Sequence, residues 1–138
     1  MKFLKIIFFL IIIPVNLFAN TNYFNEGLVF YKKKEFDKAR FKFEQDIVFN
    51  PKSEKSYLYL SKIFNQQKIK KLEEKNLNTV LLLNPNNEEA IYNLAKLKLK
   101  DSDFIESKKL IERLIIFCSN YCKKSEKLKI EIENSLKK

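Results

Sequence analysis

Apolar residues in this chain recur at three- and four-residue spacing in stretches long enough for helices, separated by short polar breaks. Asn50-Pro51-Lys52-Ser53 ends one such stretch, and Asn84-Pro85-Asn86-Asn87 ends the next, 34 residues later. The pattern predicts helices over 21–33, 37–49, 54–66, 70–83, 88–100, 104–117 and 121–137. Linkers this short imply antiparallel neighbours. Asn87 reads as an N-cap, with Glu88 and Glu89 in the first turn where they suit the helix dipole. Asp101-Ser102-Asp103 closes one helix and caps the next. The run Leu110 to Cys118 has strand-like composition but lies within the helical phase. In the last stretch Tyr121, Leu128, Ile132 and Leu136 form an apolar stripe, while Lys123, Lys124, Lys127 and Glu131 point elsewhere.

A 34-residue period marks a stacked array of helix–turn–helix units. The first unit reads Tyr23-x2-Glu26-Gly27-x2-Phe30, then Ala39-x3-Phe43, then Pro51. The second reads Tyr57-x2-Leu60-Ser61-x2-Phe64, then Glu73-x3-Leu77, then Pro85. The third reads Ile91-x2-Leu94-Ala95-x2-Lys98, then Ser107-x3-Ile111, and ends at Ser119. These units resemble the tetratricopeptide repeat, whose pattern is W-x2-L-G-x2-Y, then A-x3-F, then P. Gly27, the chain's one glycine, stands where two helices touch most closely. Glu73 replaces the small alanine, which predicts a splayed or shifted second helix pair.

The resemblance implies an all-α, right-handed solenoid over residues 20–138. Its repeats would cover about 20–53, 54–87 and 88–119, followed by a capping helix over 121–137 that closes the last apolar face. Phe30, Phe36, Phe43, Phe64 and Phe104 fall on core positions of this arrangement.

Residues 1–19 have the layout of a secretory signal peptide. Lys2 and Lys5 precede the apolar run Ile6 to Ile13, Pro14 breaks it, and Ala19 is a cleavage position. An N-terminal anchor kept in place is the other reading. Either way the chain is expected to be exported, to the periplasm or cell envelope of a bacterium. In such a compartment Cys118 and Cys122, the only cysteines, can form a disulfide that staples the cap to the array. Two free, partly buried thiols are the alternative, because four-residue spacing within one continuous helix gives awkward geometry.

Little in the sequence points to catalysis. There is no histidine, and one glycine cannot build a phosphate-cradling loop. Glu73-Glu74 and Glu88-Glu89 are adjacent carboxylates, but consecutive helical residues do not face each other, so both pairs read as surface or helix-end charge. No enzymatic activity, cofactor or metal site is expected.

The resemblance instead implies a concave groove lined by the first helix of each repeat. Carried onto this chain, its binding positions are Tyr31 and Lys32; Lys55, Lys62, Asn65 and Gln66; and Tyr92, Lys96 and Lys100. Tyrosine beside lysine suits an acidic or C-terminal peptide segment. The set of lysines and asparagines with which some members of the family hold a terminal carboxylate is not reproduced, so that specificity does not carry over. The net charge of +10 falls to about +8 once Lys2 and Lys5 leave, which favours acidic partners. Export and the lack of a nucleic-acid motif argue against nucleic acid. The expected function is a non-enzymatic adaptor or scaffold that binds a protein or peptide. The alternative is a structural or membrane-peripheral protein whose basic surface binds anionic lipid or cell-wall polymer.

Overall fold

The computed structural model describes residues 22–137, so the segment read as a leader or anchor lies outside the described residues. Seven helices follow in order: α1 (Tyr23–Lys32), α2 (Phe36–Phe49), α3 (Glu54–Gln66), α4 (Lys70–Leu83), α5 (Glu88–Lys100), α6 (Phe104–Phe117) and α7 (Cys122–Leu136). Among the described residues there is no strand, and no helix is long and apolar enough to cross a membrane. Each helix packs chiefly on its sequence neighbours, giving three hairpins in a row with α7 against α6 and the edge of α5. This is the expected solenoid of three repeats and a cap.

Local signals explain why each helix stops. The turn inside every hairpin is made the same way. Lys34, Lys68 and Ser102, spaced one repeat apart, take φ values of 61°, 58° and 61°. The next amide then reaches back five residues: Glu35 to the Phe30 carbonyl, Ile69 to Phe64 and Asp103 to Lys98. That 6→1 bond is the Schellman closure of a helix C-terminus. Between hairpins, Pro51 and Pro85 follow the helix-ending residues Asn50 and Asn84 and forbid continuation. Asn87 and Asp103 cap α5 and α6 by accepting bonds from the Ala90 and Glu106 amides.

The core is built on the repeat positions. Ala39, Ser61, Ala95 and Ser107 are buried where helices meet, and the Ser107 hydroxyl donates to the Ala95 carbonyl at 2.8 Å. At Gly27 a Cβ would lie 2.6 Å from Cε1 of Phe43, a ring that is wholly buried. Phe43 and Phe64 are core residues, while Phe30, Phe36 and Phe104 are half-buried.

Glu73 does not splay the second pair, because α3 and α4 pack as closely as the other hairpins. Its carboxylate turns along the interface and accepts a 2.7 Å hydrogen bond from the Asn65 side chain. The apolar residues form two clusters. A smaller, aromatic-rich one includes Ala39, Phe43, Leu60, Ile63 and Phe64. A larger one runs from Leu58 through α4, α5 and α6 to Leu128 and Ile132 of α7.

Cys118 and Cys122 are joined by a disulfide, with Cα atoms 5.3 Å apart. Ser119-Asn120-Tyr121 interrupts the helix between α6 and α7, so the four-residue spacing does not fall in one continuous helix. Glu88, at the start of α5, accepts bonds from the Ser119, Asn120 and Tyr121 amides, each at 2.9 Å. One repeat earlier, Glu54 plays a similar part, accepting from the side chains of Asn84 and Asn87.

Candidate binding groove

The odd-numbered helices α1, α3 and α5 bring side chains together around a groove of about 320 Å³. Helical spacing explains which residues reach it. On α5, Glu89, Asn93, Lys96 and Lys100 recur every three or four residues and form one face. On α3, Ser61, Lys62, Asn65 and Gln66 do the same, and α1 adds Tyr31. Glu73 of α4 closes the floor, only 4 % exposed.

Charge inside the groove is unevenly paired. Lys62 Nζ lies 2.8 Å from Glu89 and 4.5 Å from the centre of the Tyr59 ring. Lys96 and Lys100 have no carboxylate within salt-bridge distance among the described residues. Lys96 instead lies over the Tyr92 ring at 5.7 Å. Burial pushes the Glu73 carboxyl above its ordinary pKa, while the Asn65 hydrogen bond and the ammonium groups of Lys100 and Lys96 pull it down. Burial likewise raises the phenol of Tyr31, which stands edge-on to Tyr59 with ring centres 5.0 Å apart.

Six residues expected from the sequence therefore meet here: Tyr31, Lys62, Asn65, Gln66, Lys96 and Lys100. Three do not. Lys32 follows Tyr31 directly, about 100° further round the helix, and points to solvent. Lys55 lies in the first turn of α3, beside Asp46 of α2 and Asn50 and Ser53 of the turn between the two helices. Tyr92 packs on Tyr121 with ring centres 5.3 Å apart and joins the larger core, so the cap covers it. Burial, then the Glu89 carboxylate, pushes the Tyr121 phenol up to about 12.

Four groove residues escaped the sequence reading: Ser61, Glu73, Glu89 and Asn93. The i, i+4, i+7 spacing from Glu89 to Lys96 was a legible signal for two of them. The acidic pairs are not mere surface charge either. Glu73 is buried, Glu74 pairs with Lys98 at 2.6 Å, Glu88 holds the α6–α7 turn and Glu89 holds Lys62. Among the described residues no three His, Cys, Asp or Glu side chains gather to hold a metal.

No protein-family model and no curated protein sequence matches this chain. Solved structures do match. The first TPR of Spaghetti (RPAP3), bound to the HSP90 peptide SRMEEVD, superposes with a TM-score of 0.77 at 16% identity, over 84% of this chain and 91% of that one. The chain has the fold of a tetratricopeptide-repeat domain. The type III secretion translocator chaperone SycD of Yersinia enterocolitica gives a TM-score of 0.75 at 11% identity, covering 84% and 92% of the two chains. The TPR2B domain of yeast Sti1, in its pHsp70 complex, gives 0.73 at 11%, covering 81% and 94%. At such identities the likeness speaks for the fold, and the binding residues rest on this chain's own geometry.

Proposed function

We propose that the protein is a non-enzymatic adaptor whose groove binds an extended, acidic segment of another protein, and that it works in a bacterial cell envelope. One observation carries this reading. Lys96 and Lys100, with no carboxylate within salt-bridge distance among the described residues, stand on a groove face that also offers the Asn65, Gln66 and Asn93 amides. An ammonium outside any close ion pair keeps attraction to spare for an incoming carboxylate beyond what the buried Glu73 draws on, and amide side chains can bond an extended backbone from both sides. One of the similar structures holds an HSP90 peptide, SRMEEVD, which carries three carboxylate side chains, and this supports an acidic ligand. The envelope setting rests on the leader-like residues 1–19 and on the disulfide, which suits an oxidising compartment.

The test is isothermal titration of the mature chain with acidic and neutral peptides of equal length. Acidic peptides should bind, and Lys96→Glu with Lys100→Glu should weaken them at least about tenfold with helicity unchanged. Equal binding by the double variant would remove the groove from the account. Tyr92→Ala is a poor probe, because Tyr92 supports the cap. Mass determination of the mature N-terminus from an exporting cell decides between cleavage after Ala19 and a retained anchor.

A further inference from the structure

The outer face of the solenoid carries a feature that the groove does not use. Val48, Leu82 and Ile116 occupy one repeat position, 34 residues apart, near the C-terminal ends of α2, α4 and α6. They are 73%, 82% and 86% exposed. A lone exposed aliphatic residue needs no explanation, but the same one in every repeat of a stacked array makes a stripe. Phe41, seven residues before Val48, and Ile105, eleven before Ile116, lie on the same helical faces and are also exposed. None of these side chains lines the groove, which opens between α1, α3 and α5.

We propose that this stripe docks the outer face of the solenoid on an anionic lipid bilayer. Three observations choose that occupant. The stripe stands on α2, α4 and α6 as separated single side chains, which a fluid apolar layer accepts without matching pockets. Its charged neighbours favour an anionic surface: Lys52 beyond Val48, and Lys71 and Lys75 on the Leu82 face of α4, have no carboxylate within salt-bridge distance among the described residues. Of the nearby acids, Glu44 is paired with Arg40 and Glu112 with Lys108, while Asp37, eleven residues before Val48, accepts a bond from the Gln67 side chain. Finally, the apolar run Ile6 to Ile13 ends ten residues before Tyr23, a tether of at most about 35 Å. A chain whose N-terminal run is in a bilayer thus holds these helices beside it. Aliphatic insertion and basic attraction reinforce each other in such docking. A second copy is the weaker occupant, because both molecules are strongly positive. The inference does not depend on the groove having a ligand.

The chain contains no tryptophan, so Leu82→Trp in the full-length protein creates a single reporter on the stripe, and Lys33→Trp creates one in the α1–α2 turn. Both are titrated with vesicles of equal parts phosphatidylglycerol and phosphatidylcholine. The Leu82→Trp emission should move to the blue and be quenched by lipids brominated in their acyl chains, while the Lys33→Trp emission stays put. Adding Val48→Ser and Ile116→Ser should weaken vesicle binding at least about tenfold. An unshifted Leu82→Trp spectrum with the vesicles bound would overturn the proposal, since contact would then run through the N-terminus alone. A blue shift that grows with protein concentration before any lipid is added would overturn it in favour of self-association. An equal response to pure phosphatidylcholine would sink the anionic requirement.

Discussion

Gly27 and the three left-handed turn residues show that the chain places its one glycine by packing and not by backbone need. A Cβ at Gly27 would press on the buried Phe43 ring. Gly27→Ala should therefore lower stability by about 1–3 kcal/mol in urea denaturation, despite alanine's better helix propensity. Lys34, Lys68 and Ser102 take positive φ with a Cβ present, a conformation that costs L-residues about 1–2 kcal/mol. Lys68→Gly relieves that strain while adding freedom to the unfolded chain, so a net gain of up to about 1 kcal/mol is expected. A loss in the same assay would mean that the lysine stem makes contacts worth more than the strain. Glu73 carries a pH dependence of defined sign. Its folded-state pKa is raised above the ordinary 4.5 by burial. Its contribution to stability is then full below that value and is lost as pH rises through the folded one. Glu73→Gln keeps an acceptor for Asn65 and removes the buried charge. Thermal melts should show the variant more stable at neutral pH, the advantage vanishing in acid; a variant less stable at pH 7 would refute the argument.

The element limits were mostly legible, for reasons that differ along the chain. Helices α3 to α6 start and stop where the apolar pattern puts them, because Asn-Pro breaks, the Asn87 and Asp103 caps and the hairpin turns bracket each one locally. At the ends such brackets thin out: α1 spans 23–32 against an expected 21–33, and α7 spans 122–136 against 121–137. Less legible was how neighbouring elements meet. Tyr92 and Glu89 are both on α5 and both meet Tyr121 of the cap, yet only Glu89 also reaches Lys62 across the groove, an arrangement set by the stacking of three repeats. The cap is also where one local and one long-range device converge on α7. Its first turn is fixed by the Cys118–Cys122 disulfide and by Glu88 beneath the Ser119–Tyr121 amides. Replacing both cysteines with serine should cost about 2 kcal/mol, as the chain-entropy model gives for so short a loop. The hydrogen bonds to Glu88, led by that of the Ser119 hydroxyl, hold its carboxyl below the ordinary pKa. Its contribution is therefore present above 4.5 and lost as pH falls through the lower folded value, opposite in sign to Glu73. In the cysteine-free variant, amide exchange across α7 should quicken as acid protonates Glu88. Exchange that stays flat with pH would show that Leu128 and Ile132 hold the cap unaided.

Across the whole molecule, stability and binding are linked through α3, where the two apolar clusters meet: Leu58 belongs to the larger, and Leu60, Ile63 and Phe64 to the smaller. Repeat arrays behave as chains of nearest-neighbour couplings, so a weak joint lets one end open alone. The joint between the first and second repeats here is largely aromatic. Tyr59 touches the rings of Phe24, Tyr31 and Phe43, with centres 5.8, 5.0 and 5.2 Å away. The second and third repeats are tied differently, by the aliphatic cluster that joins Leu58, Leu77 and Val80 to Ala90, Ile91 and Leu94, and by Lys62 with Glu89. Tyr59→Ala should thus cost about 3 kcal/mol and cost it unevenly. Native-state hydrogen exchange should show α1 and α2 losing protection while α5 to α7 keep theirs. The same variant should weaken the proposed peptide binding, because Tyr31, one wall of the groove, belongs to the repeat that opens. Uniform loss of protection from α1 to α7 would instead mean that the array unfolds as one cooperative unit, and that binding in the groove draws on the stability of all three repeats together.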